Sequence, residues 1–245
     1  MCDRPVQLLL PAEHVCYCKL VNFLRERLNQ HFKVFRPLNQ YIKLVTIFAY
    51  FRRRQFVIMA TPSPEDLPVP EDDGKCDHLV PGTPIPPISL PATDGSSVNL
   101  STLSGSTVLY CYPRTGKPEV PLPDGWALIP GAMGCKLQTC SFKNHLKELQ
   151  KLGVTHVFGL STQDTAYQAE AWQRLHLPFN LLSDEKREFI EALNLPTFEA
   201  PECGVLVKRV TLVIKDGVVL KVFYPVFPAD KSAEIVVEWV KKNKI

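Results

Sequence analysis

Two cysteines five residues apart, Cys135 and Cys140, are the side chains of this 245-residue sequence whose type and setting most directly imply chemistry. They lie in Pro130-Gly-Ala-Met-Gly-Cys135-Lys-Leu-Gln-Thr-Cys140-Ser-Phe142. The apolar positions Phe142, Leu146, Leu149 and Leu152 are spaced for one face of a helix. A glycine-bearing loop therefore delivers Cys135 to the first turn of that helix, just past the strand expected over Thr107–Tyr112. Helix N-termini carry unpaired N–H groups and a positive dipole end, which stabilise a thiolate. The position also suits a ligand, because open α/β sheets bind beyond the carboxyl ends of their strands. The chemistry implied is nucleophilic attack by sulfur.

The spacing has a mechanical consequence. Five residues along an ideal helix turn roughly 140° and rise about 7.5 Å, leaving the two Cα atoms roughly 8.6 Å apart. A disulfide needs about 7 Å or less, so Cys135 and Cys140 cannot bridge on an intact helix. Either the first turns unwind, or Cys140 is a small core residue, as free cysteine often is. Zinc held by Cys135, Cys140 and His145 is rejected, because successive rotations of about 140° keep the three from converging on one ion.

The rest of the chain must position that loop and helix. Ile88-Ser-Leu-Pro and Ser97-Val-Asn-Leu-Ser flank an Asp94-Gly95 turn and read as a hairpin. Thr107–Tyr112 reads as a buried strand stopped by Pro113, followed by a Pro/Gly-rich loop over 114–134. Beyond the helix come a strand at Val154–Leu160, a helix at Asp164–His176 with Asp164 as N-cap, and a short strand at Phe179–Leu182. A helix capped by Ser183-Asp184 runs to about Leu193. Lys208–Ile214 and Val218–Tyr224 pair across Asp216-Gly217, and Lys231–Lys244 closes the chain as a helix. This order implies a mixed central sheet flanked by helices, ending in the β-β-α unit of thioredoxin-like folds.

Composition narrows the classes. The chain carries 45% hydrophobic and 22% charged residues, and no apolar run approaches the roughly 20 residues that span a bilayer. Residues before Met59 hold ten Lys and Arg against three acids, so with a formal charge of +3 the remainder is net −4. That asymmetry argues against nucleic acid as a partner. Eight cysteines are too sparse for a disulfide scaffold and lack paired C-x-x-C zinc spacing, which fits thiols kept reduced inside a cell. Residues 1–58 form a basic extension, read either as a mitochondrial-type targeting segment or as an extension upstream of a second start at Met59. Residues 59–84 read as a flexible Pro-rich approach and 85–245 as the domain. The compartment expected is the cytoplasm, or the mitochondrion if residues 1–58 act as a targeting segment.

Several segments together resemble a known family. Val-Leu-Tyr-Cys-Tyr-Pro113 followed by Gly134-Cys135 and Cys140-Ser-Phe142 is similar to the peroxidatic region of peroxiredoxins of the Q type, the bacterioferritin-comigratory branch. Leu90-Pro-Ala-Thr-Asp-Gly-Ser-Ser-Val-Asn-Leu100, Phe158-Gly-Leu-Ser161, Leu181-Leu-Ser-Asp184 and Lys208-Arg209-Val-Thr-Leu-Val-Ile-Lys-Asp-Gly217 continue the resemblance in order, from about Ile85 to Ile245. It implies a thioredoxin-like fold and a thiol peroxidase acting on hydrogen peroxide or alkyl hydroperoxides. Cys135 would attack peroxide and become a sulfenic acid, and Cys140 would resolve it as a disulfide. Arg209 would hold the thiolate ionised and orient peroxide oxygens, while Pro113 would shield the sulfur. The resemblance further implies re-reduction by thioredoxin or a similar dithiol, a monomer, and neither cofactor nor metal.

One departure stands out. The family pattern Pro-x3-Thr-x2-Cys supplies a threonine hydroxyl to the peroxide, whereas here the residue three before Cys135 is Ala132, and residues 114–134 separate Pro113 from Cys135. Thr115 and the backbone N–H groups near Gly131 and Gly134 are the candidates for that role. Trp126 in the inserted loop would either line the mouth of the site or anchor the loop. Cys203, in Pro201-Glu-Cys-Gly, is a second candidate resolving thiol, and Cys111 reads as core. Two other activities would fit the fold: thiol–disulfide exchange, which ordinarily uses the C-x-x-C absent here, and a redox sensor without turnover, which the missing threonine would favour.

Overall fold

The structure, a computed structural model, describes residues 67–245. The basic extension 1–58, its targeting reading, the second start at Met59, and Cys2, Cys16 and Cys18 lie outside the described residues.

The centre is a five-stranded mixed sheet in the order β5-β4-β3-β8-β9. Its strands are β3 (Ser106–Cys111), β4 (Val154–Ser161), β5 (Leu181–Ser183), β8 (Val210–Lys215) and β9 (Val218–Phe223). β3 pairs parallel with β4 and antiparallel with β8, so it is the middle strand and buried along its whole length. Its side chains alternate between two cores, as a pleated strand requires. Leu109 and Cys111 face one core, built with β1 (Ser89–Pro91), β2 (Ser97–Asn99) and α3 (Glu188–Ala192). Val108, Tyr110 and Tyr112 face the other, built with α1 (Cys135–Lys151) and α4 (Ser232–Asn243). Helix α2 (Thr165–Arg174) completes the α/β alternation. The thioredoxin-like layering expected from the element order is what the chain adopts.

Most elements fall where the pattern puts them. Asp164 caps α2 by accepting from Tyr167 N at 2.6 Å. Phe142 and Leu149 of α1 are fully buried, and Leu146 and Leu152 pack beside them. Helix α3 is shorter than expected because Arg187 sits at φ 63, breaking the chain after Asp184. The Asp184 carboxylate still reaches across to the Phe189 and Ile190 N–H groups at 3.1 and 2.8 Å.

Two features differ from the sequence reading. β6 (Thr197–Ala200) and β7 (Gly204–Val207) form a separate hairpin where no strands were expected. Each is four residues long and only partly buried, too short for an alternating signal, and the turn is set by Glu202 at φ 62. The described part of the approach, from residue 67, also packs on the domain. Cys76, Leu79 and Ile85 are buried in the same core as Leu109, and Gly82 N and Ile85 N donate to Val219 O and Gly217 O. Among the described residues, no helix is long and apolar enough to cross a membrane.

Candidate active site

Cys135 is the first residue of α1 and is buried, 5% exposed. Gly134 precedes it as N-cap in the left-handed region at φ 98, and a Cβ there would meet the Ala229 Cβ at 2.8 Å. Both the conformation and the close approach require glycine. Gly134 contributes no side-chain cap, so the first N–H groups of α1 keep their electrostatic pull for the sulfur beside them.

Arg209, just before β8, reaches that sulfur from the opposite element. Its Nη2 lies 3.3 Å from Cys135 Sγ and also donates to Gly131 O and Met133 O, both at 3.1 Å. Its Nη1 donates to Gln138 Oε1. Gln138 Nε2 in turn donates to Ser232 Oγ at 3.2 Å, which lies 3.4 Å from Thr211 Oγ1. Gln138 and Thr139 are fully buried on the first turns of α1, and Tyr110 OH donates to Thr139 Oγ1 at 3.3 Å. One guanidinium nitrogen is left over: Arg209 Nε is buried with no hydrogen-bond partner. A buried donor of this kind is costly unless something fills it.

Pro113 ends β3 and is buried, with its carbonyl accepting from Ser161 Oγ at 3.0 Å. It lines a cavity of about 450 Å³ together with Arg209 and Gly131. The expected site residues Cys135, Arg209, Pro113 and Gly134 thus come together. Thr115 does not join them. Its hydroxyl and N–H both donate to Gln163 Oε1, at 3.1 and 2.8 Å, and its carbonyl accepts from Gln163 Nε2. Those bonds tie the start of the inserted loop to the β4–α2 connection, so Thr115 does not supply the missing hydroxyl.

Ala132 is fully buried and packs with Trp126, Ala200 and Leu206. Trp126 is 3% exposed and lies 6.2 Å from the Phe198 ring of β6, so it anchors the inserted loop to the hairpin rather than lining an open mouth. An apolar cluster therefore occupies the place where a threonine would point its hydroxyl. What remains near the sulfur is carbonyl oxygen and guanidinium: Ala132 O lies 3.5 Å from Sγ.

Cys140 is half-buried on the unbroken helix α1. Phe142 immediately beyond stacks on Tyr110 with centroids 4.5 Å apart, so any unwinding that reaches Cys140 meets a locked residue two positions later. Cys203 is in the β6–β7 turn, 2.6 Å from Arg114 Nη1. Arg114 also donates to Tyr167 OH at 3.3 Å and stacks over its ring. Cys111 and Cys76 are buried, and burial pushes both thiols up, Cys76 to about 12 with the acids Asp73, Asp72 and Asp77 adding to the effect. Neither is a nucleophile at neutral pH. No group of three or more His, Cys, Asp or Glu side chains suited to a metal occurs among the described residues.

Gln138 carries no motif of its own and was missed from sequence; the sole signal is its place one turn after Cys135. Asp73 was missed as well. Its carboxylate accepts from Lys208 Nζ at 2.8 Å and Tyr224 OH at 2.7 Å. Partial desolvation works against the Asp73 charge, but the hydrogen bonds from Lys208, Tyr224 and the Lys75 N–H, with the Lys208 charge, together hold the carboxyl well below its ordinary range.

Comparisons with known proteins agree with this arrangement. The Redoxin family model matches residues 80–237. Peroxiredoxin Q, chloroplastic, of Oryza sativa subsp. japonica is 31% identical over 189 residues, covering 75% of this chain and 78% of that one. Peroxiredoxin Bcp of Escherichia coli K12 is 30% identical over 162 residues, 64% of this chain and 93% of that one. Among solved structures, Peroxidoxin BcpB from Mycobacterium tuberculosis superposes with a TM-score of 0.55 at 24% identity, over 68% of this chain and 99% of that one. The bacterioferritin comigratory protein of Xanthomonas campestris gives a TM-score of 0.52 at 16% identity, over 74% and 100%. These two likenesses bear on the fold. With the family model covering most of the chain and the rice relative matching three quarters of it, the chain belongs to the peroxiredoxins, in their Q-type, bacterioferritin-comigratory branch.

Proposed function

We propose that this peroxiredoxin is a thiol-dependent peroxidase in which Cys135 is the peroxidatic residue and Cys140 the resolving one. The observation that carries the reading is Arg209 Nη2 at 3.3 Å from Cys135 Sγ, at the uncapped N-terminus of α1. The fixed guanidinium charge and the helix end both favour thiolate. The thiolate attacks one peroxide oxygen: an S–O bond forms, the O–O bond breaks, and the departing alkoxide or hydroxide takes a proton to leave as alcohol or water. Arg209 Nη2, already against the sulfur, is the charge that meets the developing negative charge on the peroxide oxygen.

Cys135 is then a sulfenic acid. The first turns of α1 unwind, the Cys140 thiolate attacks the sulfenyl sulfur, an S–S bond forms, and the S–O bond breaks to expel hydroxide, which takes a proton to leave as water. A thioredoxin-like dithiol supplies two electrons to reopen the disulfide and is itself oxidised. Hydrogen peroxide and organic hydroperoxides are the substrates, a reading that accords with the alkyl peroxide reduction activity for which the Xanthomonas campestris relative is described. The functional unit is a monomer.

Loss of peroxide turnover in Cys135→Ser, with the fold intact, is the expected result; full turnover in that variant would refute the assignment. The contact between Arg114 and Cys203 favours a second reading, in which Cys203 resolves. Peptide mapping after one equivalent of peroxide separates the two, since it reports a 135–140 or a 135–203 crosslink. For the compartment the reading is the cytoplasm, with a mitochondrial targeting role of the basic extension as the alternative; the N-terminus of the protein recovered from cells separates them, since a chain lacking residues 1–58 in a mitochondrial fraction would favour the alternative.

A further inference from the structure

The cavity that opens beyond Arg209 has a wall built by the chain ahead of the Redoxin match. Residues 69–73 lie upstream of the Redoxin match, which begins at residue 80, although the alignment with the rice relative, over 75% of the chain, reaches across them. Val69, Pro70, Glu71 and Asp73 nevertheless line the cavity together with Pro113 and Arg209. Pro70 seats against Gly131, where a Cβ would touch its ring at 3.5 Å. Asp73 fastens the segment to the domain through Lys208 and Tyr224. The stretch is therefore built into the rim of the site.

Size and charge decide what such a rim admits. About 450 Å³ exceeds what hydrogen peroxide fills and suits the organic part of a substituted peroxide. Ile129, Pro130, Phe198 and Val226 supply apolar surface for it. The ionic groups are unequal. Arg209 stands against the Cys135 sulfur and Lys208 against Asp73, at 3.3 and 2.8 Å. Glu71 is exposed on the lining and joins no salt bridge among the described residues.

We infer that the 69–73 segment is a specificity element: the cavity takes neutral, apolar organic hydroperoxides, and Glu71 disfavours those that carry a carboxylate. The inference rests on the peroxidase reading above and adds a discrimination by charge. Two substrates that differ chiefly in that charge test it, cumene hydroperoxide bearing a para-carboxylate and the methyl ester of the same compound; the extra methyl acts equally in the natural protein and in Glu71→Gln. The measurement is the second-order rate of Cys135 oxidation by stopped flow, on the full chain at low ionic strength.

The ester is expected to react roughly fivefold faster than the acid, the size of one like-charge contact at a protein rim. The ratio should shrink as salt is added, and it should fall toward one in Glu71→Gln, whose exposed position leaves folding unaffected. Equal rates for acid and ester in the natural protein, or a ratio unmoved by Glu71→Gln, would overturn the inference. Hydrogen peroxide separates the two layers: failure to oxidise Cys135 defeats the peroxidase reading, whereas fast oxidation with no acid–ester difference defeats the specificity alone.

Discussion

Gln138 accepts a hydrogen bond from Arg209 Nη1 one helical turn below Cys135, while Arg209 Nη2 faces the cysteine sulfur. The guanidinium is thus held between the residue it serves and a fully buried amide that cannot move without breaking its own bond to Ser232. In the proposed resolution by Cys140, opening the first turns of α1 would pull Gln138 from Arg209 and Thr139 from Tyr110.

Replacing Arg209 with Lys keeps the charge and loses the fork. Lysine has no planar set of donors to hold Gly131 O, Met133 O, Gln138 Oε1 and the sulfur together. A charge-assisted hydrogen bond is worth about 1.5–3 kcal/mol, which converts to roughly 10- to 150-fold in rate. The second-order rate of Cys135 oxidation should fall within that range, and an unchanged rate would remove Arg209 from the mechanism.

Gln138→Leu preserves volume and removes the acceptor. Gln138 is a positioning residue, so the expected effect is a slower reaction with peroxide of roughly tenfold, the rate equivalent of about 1.4 kcal/mol. Gln138→Glu, which still accepts from Arg209, should recover more of the rate than Leu does. Equal rates in the two variants would make the role purely one of packing.

Gly134→Ala should damage both stability and reactivity. The left-handed backbone costs a non-glycine residue about 1–2 kcal/mol, and the added Cβ would sit 2.8 Å from Ala229 Cβ. Thermal unfolding and peroxide reactivity are both measurable, and a variant as stable and as fast as the natural protein would contradict the geometry.

Asp73→Asn should lower stability at neutral pH in a pH-dependent way. A carboxylate held below its ordinary value contributes stability that is complete above the unfolded pKa, about 4. That contribution is lost as pH falls from there toward the folded value. The gap between natural protein and Asp73→Asn should therefore be constant from pH 8 to 5 and narrow below about pH 4. Urea unfolding across that range checks it, and a gap that widens with acid would reverse the sign.

Thiol labelling should sort the cysteines by environment. Cys76 and Cys111 are buried with thiols pushed up, and should resist a small alkylating agent in the native state. Cys140 and Cys203 are half-buried and should react ahead of them. Mass spectrometry after brief iodoacetamide treatment gives the order, and early labelling of Cys111 would show that the β3 core opens.

By itself the sequence determined what local pattern can encode. The short unbroken run Thr107–Tyr112 stopped by Pro113, the helical spacing from Phe142 to Leu152, and the Asp94-Gly95 and Asp216-Gly217 turns are short-range signals, and each specified its element. Cys135 was legible too, because a glycine followed by cysteine at a strand-to-helix junction fixes a helix N-terminus without reference to the rest of the chain. Arg209 came from resemblance, since an arginine 74 residues downstream has no local mark of its role.

Tertiary structure alone decided the other parts. Gln138 became the support of Arg209 because α1 and the start of β8 meet across the sheet, and no spacing rule joins positions 71 residues apart. Thr115 was diverted by Gln163, and Trp126 was drawn under the β6–β7 hairpin, itself too short to announce its strands. Asp73 found Lys208 and Tyr224 from far upstream. Local propensity acts over a few residues, while these contacts are selected by burial and charge between segments that the sheet brings together.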